Sequence, residues 1–289
     1  MRRYYDIKVL STRPYRTGED SPHFEVHVLL GNRHVGMTLW CVKSFLHHTE
    51  RKYTVVLHDD GSLTAQNVES LKKHLVNVRV VRRAEADDLI REKIKHLPNC
   101  CEYRFSPKET SDHRGVKYDM HIFAIRLFDF NLLSNASKTL VLDADVLFFK
   151  KPQEIVEWAE DPVDRKSLYS IEQYIPQRNA RYEVIGFERK IPPPIHFNAG
   201  LLCLDKRAYD LEVIESWIGK KKELMDKIAT FEQMAYNNLV EEKGGGTALS
   251  DSYSFNYTDA DVIATHFAIK HLFFRNLPRL QRALTNLPD

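Results

Sequence analysis

Two aspartates in the stretch KTLVLDADVLFFKKP, residues 138–152, carry the most direct chemical signal in the chain. An apolar run, Leu140 to Leu142, leads into Asp143 and Asp145, and a second apolar run, Val146 to Phe149, follows. A carboxylate buried without a partner costs free energy, so the pair needs a counter-charge. In an extended chain residues two apart project to the same side, which brings these two carboxylates together. Two convergent carboxylates suit a hard divalent cation, Mg2+ or Mn2+, that takes phosphate oxygens as its other ligands. The same residues also fit a plain ion-paired turn, with Lys150 and Lys151 as partners.

The surrounding pattern predicts how such a pair is positioned. FEVHVLL (24–30) reads as a strand, and Val35, Leu39, Val42, Phe45 and Leu46 then recur at helical spacing. Tyr53 to Leu57 reads as a second strand, Thr64 as the cap of a helix bearing Val68, Leu71 and Leu75, NVRVVR as a third strand, and EADDLIREKIKHL as another helix. DMHIFAIRLFDFNLL is helical and feeds the strand TLVLDAD. This alternation predicts a mainly parallel sheet covered on both faces, and in such sheets the carboxyl ends of the strands line the ligand crevice. Beyond Pro152 the order loosens into IPPPIHFNAGLLCLD, amphipathic helices near 207–218 and 230–241, a strand DVIATHF and an aromatic, basic tail. Gly244-Gly245-Gly246 is either a lid hinge or an ordinary loop.

Length and composition fit one large α/β domain: 289 residues, 43% hydrophobic, with no repeat or linker. The expected division is a first half over about 22–152, a second half over about 153–275, and a tail, 276–289. Charged residues nearly cancel to +2, so no clustered basic excess argues for nucleic acid. Cys41, Cys100, Cys101 and Cys203 lack any CxxC spacing, which argues against a zinc site or disulfide framework and for reduced thiols. No apolar run reaches 18 residues and the N-terminus has no export signal. The expected location is cytoplasmic, at most at the inner face of the membrane.

An apolar strand ending in Asp-x-Asp is also the nucleophile motif of HAD-type phosphatases. That motif wants Thr or Val where Leu147 stands and lies near the N-terminus, and no later Gly-Asp motif follows. Six segments in order instead carry another resemblance: HDDGSLT, AIRLFDFNLL, VLDADVLFF, HFNAGLLCLD, FEQMAYN and THFAIKH. With them the chain resembles nucleotide-sugar-dependent glycosyltransferases of GT-A fold, most closely glycosyltransferase family 8, over about residues 24–275.

The resemblance implies an α/β fold with a mixed, mainly parallel sheet flanked by helices in a single domain. It implies metal binding by Asp143, Asp145 and His266, with Asp143 also on the nucleotide ribose. Lys270 would meet the diphosphate. The family usually has a Gly and then Lys-Pro beyond that histidine, which HFAIKHLFF lacks, so His271 or Arg275 are alternatives. Arg126 would face the sugar nucleotide, Asp59 or Asp60 the base, and Asn198 a sugar hydroxyl. Gln233 would lie near the anomeric carbon, with Glu232 in place of the family's Asp. The reaction implied moves a sugar from a nucleoside diphosphate, UDP above all, to a hydroxyl acceptor, a glycan or lipid-linked saccharide, with retention. A catalytically silent nucleotide- or glycan-binding protein and a nucleotidyltransferase are the other readings. The tail, with Leu272, Phe273, Phe274, Leu277 and Leu280 among basic residues, either packs on the domain or makes weak peripheral contact with anionic lipid.

Overall fold

The computed structural model describes residues 1–106, 109–111, 117–119, 121–163, 166–172, 196–225, 231–242 and 245–285. Its helices are α1 (Arg2–Lys8), α2 (Val35–Thr49), α3 (Ala65–His74), α4 (Arg83–Ile94), α5 (Pro98–Phe105), α6 (His121–Leu132), α7 (Gln153–Glu160), α8 (Leu211–Met225), α9 (Phe231–Glu242) and α10 (Lys270–Thr285). The strands of its two larger sheets are β1 (Phe24–Leu30), β2 (Thr54–Asp59), β3 (Arg79–Val81), β4 (Lys138–Leu142), β5 (Val146–Phe148), β6 (Ser167–Glu172), β7 (His196–Asp205), β8 (Gly246–Ala248), β9 (Tyr253–Phe255) and β10 (Ala264–His266).

The main sheet runs β8-β6-β7-β4-β1-β2-β3. β4, β1, β2 and β3 are mutually parallel, β7 is antiparallel to β4 and β6, and β8 is parallel to β6. β1 sits centrally and six of its seven residues are buried, as expected where helices cover both faces. Alternation assigns the faces: Leu140 and Leu142 join one apolar core with helix α2, while Val141 joins the other with Phe128 of α6. A second, three-stranded sheet, β9-β10-β5, stands beside the carboxyl end of β4.

Most of the predicted elements are present. Thr64 caps α3 in a reciprocal box with Asn67. The second strand extends to Asp59, so His58 and Asp59 belong to it. The predicted helical segment begins at Asp119, which instead closes a short strand, Lys117–Asp119; Met120 and Gly244 lie outside the described residues. Gly245 adopts φ 80°, and Gly246 is already a strand residue paired with Ser167, as in an ordinary turn into an edge strand. The extended geometry expected for Asp143 and Asp145 is not found. β4 ends at Leu142, and Val146 N donates to Asp143 O at 3.1 Å, closing a turn that moves the chain from the main sheet into β5. The tail residues Phe273, Phe274, Leu277, Leu280 and Leu284 are buried in the α2-side core. No helix among the described residues is long and apolar enough to cross a membrane.

Candidate active site

The turn after β4 presents Asp143 and Asp145 at the carboxyl end of the parallel strands, where α/β sheets bind ligands. β10 pairs antiparallel with β5 and sets His266 opposite Val146, one residue beyond Asp145. The imidazole Nε2 lies 3.4 Å from Asp143 Oδ2 and 3.3 Å from Asp145 Oδ1. The ligating atoms of Asp143, Asp145 and His266 fall within 4.8 Å of one another. Gly200 permits this approach: a Cβ there would stand 2.5 Å from His266 Nδ1 and 2.8 Å from Asp143 Oδ2.

The ring of His266 is held in one tautomer by its neighbours. Asn198 Oδ1 accepts from Gly200 N at 2.8 Å, and Asn198 Nδ2 donates to Glu172 Oε2 at 3.0 Å, which fixes the amide's orientation. Oδ1 therefore faces His266 Nδ1 at 2.9 Å as an acceptor, so Nδ1 carries a proton and Nε2 is the nitrogen turned to the carboxylates, where its lone pair would be available to a cation. Two carboxylates and an imidazole lone pair converging from a turn and a strand fit a divalent cation.

Without a metal the charges are balanced by protein cations. Lys270 Nζ pairs with Asp145 Oδ2, and Arg126 Nη2 lies 3.3 Å from Asp143 Oδ1. Burial alone would raise the Asp145 carboxyl, but His266 and Lys270 outweigh it and hold it well below its usual range. Burial likewise works against the His266 imidazolium, and Asp145 and Asp143 raise it nonetheless. Lys150 pairs with Asp261 at 3.4 Å, so the local ion-paired turn foreseen from the sequence is not what balances the aspartates.

Asp143 and Asp145 form the floor of an open cavity of about 250 Å³. Its walls are Leu29, Leu30 and Gly31 at the end of β1, His34 and Met37 at the start of α2, Asp60, the α6 residues Ile122, Phe123 and Arg126, and Lys270. Asp60 Oδ1 is engaged by Ser62 N and Oγ at 2.9 and 2.6 Å. Asp59 does not line the cavity. Its Oδ1 accepts from Gly61 N and Leu63 N and its Oδ2 pairs with Arg82 at 2.9 Å, so that carboxylate is occupied by the turn. Of the two aspartates expected near the base, only Asp60 lines the cavity.

Arg126, Glu232, Asn198 and Gln233 form a second layer beside the pair. Arg126 is buried, donates to Ala199 O at 2.7 Å and lies 3.5 Å from Glu232 Oε1. Burial pushes the Glu232 carboxyl up to about 7, with Arg126 opposing and Asp143 reinforcing the shift. Gln233 Oε1 accepts from Ala199 N at 3.3 Å, which ties the first turn of α9 to β7. Neither Asn198 nor Gln233 lines the cavity; Asn198 contacts His266 and Glu172, and Gln233 contacts Ala199.

Sequence reasoning missed His34, Met37, Gly31, Phe123 and Glu172. The position of Gly31 directly after a strand end could have flagged it. His34 sits in an unremarkable helix start, and Glu172 lies on a strand whose pairing with β7 is set only by the fold.

Comparison with known families decides the class. The profile of "Glycosyl transferase family 8" matches residues 23–244. The chain belongs to glycosyl transferase family 8. This family 8 member is therefore a nucleotide-sugar glycosyltransferase, and its matched segment includes Asp143, Asp145, Asn198 and Gln233 but stops before His266 and Lys270. Among solved structures it resembles galactosyltransferase LgtC in complex with donor and acceptor sugar analogues, at 18% identity and TM-score 0.60, covering 92% of this chain and 98% of that one. It also resembles mouse xyloside xylosyltransferase 1 at 12% identity and TM-score 0.55, covering 89% and 99%. Both likenesses establish the GT-A fold. No curated protein matches the chain in sequence.

Proposed function

We propose that this family 8 member is a metal-dependent transferase moving a sugar from a nucleoside diphosphate, UDP in the first instance, to a hydroxyl on a glycan or lipid-linked saccharide. The observation that carries the reading is the convergence of Asp143, Asp145 and His266 at one end of an open cavity. Mn2+ or Mg2+ bound there would supply Lewis-acid stabilisation of the negative charge that develops on the departing diphosphate.

The protein groups then have separate tasks. Asp143 reaches both the ion and the ribose. Lys270, on the cavity wall, brings a second positive charge to the diphosphate. Asp60 accepts a base N–H at the far end. Arg126 faces the sugar nucleotide and fixes Asp143. Asn198 positions His266 in addition to any sugar contact, and Gln233 stands by the anomeric centre with Glu232 behind it. The transfer is proposed to retain configuration, the diphosphate taking the acceptor's proton on the same face.

Calorimetry with UDP, GDP and their sugar conjugates, with and without Mn2+, tests the site on wild type and Asp145→Ala. Metal-dependent binding of one nucleotide, lost in the variant, is the expected result. Absence of binding under all conditions would overturn the reading. Proton NMR of the first-formed product tests stereochemistry separately, and the inverted anomer would exclude retention.

A further inference from the structure

Four of the eight exposed large apolar side chains among the described residues lie on one short element. Met1, Tyr4, Ile7 and Leu10 are 70%, 52%, 62% and 48% exposed, and they recur every third residue along α1 and the turn after it. None of the α1 residues is fully buried. The helix is held by Tyr5, which stacks on Phe274 of α10 at 6.5 Å and meets Trp40 edge-on, and by the close approach of Asp6 to Gly36. Seven residues are too few to keep a helix in water unaided. Val9 in the following turn is fully buried and Trp40 Nε1 donates to Tyr5 O, so the element is anchored on its inner side, and the outward apolar row calls for an occupant.

Charge identifies the occupant. Residues 1–11 carry Arg2, Arg3 and Lys8 against Asp6, a balance of +2, and α10 carries Lys270, Arg275, Arg279 and Arg282 with no acid, a balance of +4. The chain totals +2, so these two touching helices hold +6 and the remainder holds −4. His271, Arg275, Arg279 and Arg282 are exposed, because the apolar face of α10 is turned into the core, while Lys270 is turned to Asp145 at the cavity. Lys8 Nζ also sits 5.5 Å over the Tyr4 ring, an aromatic–cation pair on the outer face. A second copy is a poor partner, since self-complementary contact would bring two basic surfaces together.

We propose that α1 and the outward basic face of α10 form a docking surface for an anionic lipid bilayer, with α1 giving the apolar contact and α10 the charge. This differs from insertion of the C-terminal tail, whose apolar residues are already used in the core. The surface adjoins the cleft: α10 starts at Lys270 on the cavity wall, and Arg2 donates to Arg33 O, one residue before cavity-lining His34.

Co-sedimentation of the full chain with phosphatidylcholine vesicles, alone or with phosphatidylglycerol, tests this. Wild type is expected to sediment only with the anionic vesicles and to dissociate in high salt, which screens such contacts. Arg3→Gln with Arg282→Gln is expected to weaken binding by roughly tenfold or more, at about fivefold per basic residue. Ile7→Ser with Leu10→Ser is expected to weaken it comparably, while circular dichroism and melting stay as in wild type because the side chains are exposed. Failure of wild type to bind anionic vesicles, equal binding to neutral ones, or unchanged binding by both double variants would overturn the proposal. So would a concentration-dependent dimer in sedimentation velocity that Ile7→Ser/Leu10→Ser abolishes, which would give the face to a second copy.

Discussion

Asn198 illustrates how much a single side chain is asked to do in this site. Its amide is pinned by Gly200 N and Glu172, and through Oδ1 it decides which nitrogen of His266 faces the aspartates. Gly200 is the complementary case, a residue whose value is the absence of a side chain. A Cβ would lie 2.5 Å from His266 Nδ1 and 2.8 Å from Asp143 Oδ2, closer than real Cβ atoms come. Gly200→Ala is expected to abolish Mn2+-dependent nucleotide binding in calorimetry while costing only about 1–3 kcal/mol of stability, as overpacking does. Retained binding would show that the ring and carboxylate can move apart without loss. Asn198 was legible as a site residue in the segment HFNAGLLCLD; its hold on the histidine ring was not, because Glu172 and His266 are 94 residues apart in the chain.

At the scale of elements, the site depends on a change of sheet. β4 delivers its aspartates to a turn, and β5 departs into a second sheet whose middle strand, β10, carries His266. Asn256 secures the far side of that strand: in the left-handed conformation its N donates to His266 O, and its Oδ1 accepts from Ile269 N at the approach to α10. α10 is thus a structural member of the fold as well as the source of Lys270. Leu277→Ala is expected to destabilise the chain by about 2–5 kcal/mol, the range for emptying a buried leucine site, read from the urea midpoint. A change near zero would mean that the helix is a detachable tail. The sequence predicted the apolar face of this segment but left open whether it met the core or a membrane. Periodicity identifies a face and is silent on what covers it.

At the scale of the whole molecule, buried titratable groups set the response to acid. Burial lowers His48 and His74 to about 4, and burial also lowers His27 and His58, which bond to one another beneath the sheet at 2.8 Å. Their folded values lie below the unfolded value near 6.5, so the unfolded chain binds more protons. The stabilisation from His48 and His74 is complete above about 6.5 and is lost as pH falls through about 4, and that from His27 and His58 is lost in the same direction. Glu25 adds a later loss. Burial would raise it, but His27, Ser134 and Arg79 bring it to about 2, so its contribution disappears between about 4.5 and 2. Glu232, His266, Asp6 and Asp129, all raised, run the other way, against these four histidines together with His34, His47 and Lys43, which burial also lowers. The urea midpoint is expected to be lower at pH 5 than at pH 7.5. A midpoint that rises on acidification would show that the histidines are not held neutral.

The strand–helix alternation, the Asp-x-Asp pair at the end of an apolar strand and the ordered segments of the family are legible in the chain alone, because these are local patterns of burial and spacing. Contacts between distant parts of the chain set the rest: Asp60 and not Asp59 faces the cavity, Lys270 and Arg126 rather than Lys150 and Lys151 balance the aspartates, and the apolar face of α10 is buried while an apolar row on α1 is exposed. Each of those outcomes is a choice among partners distant in the chain. Such a choice depends on which surfaces the packed sheet brings within a few ångströms, and no local pattern encodes that distance.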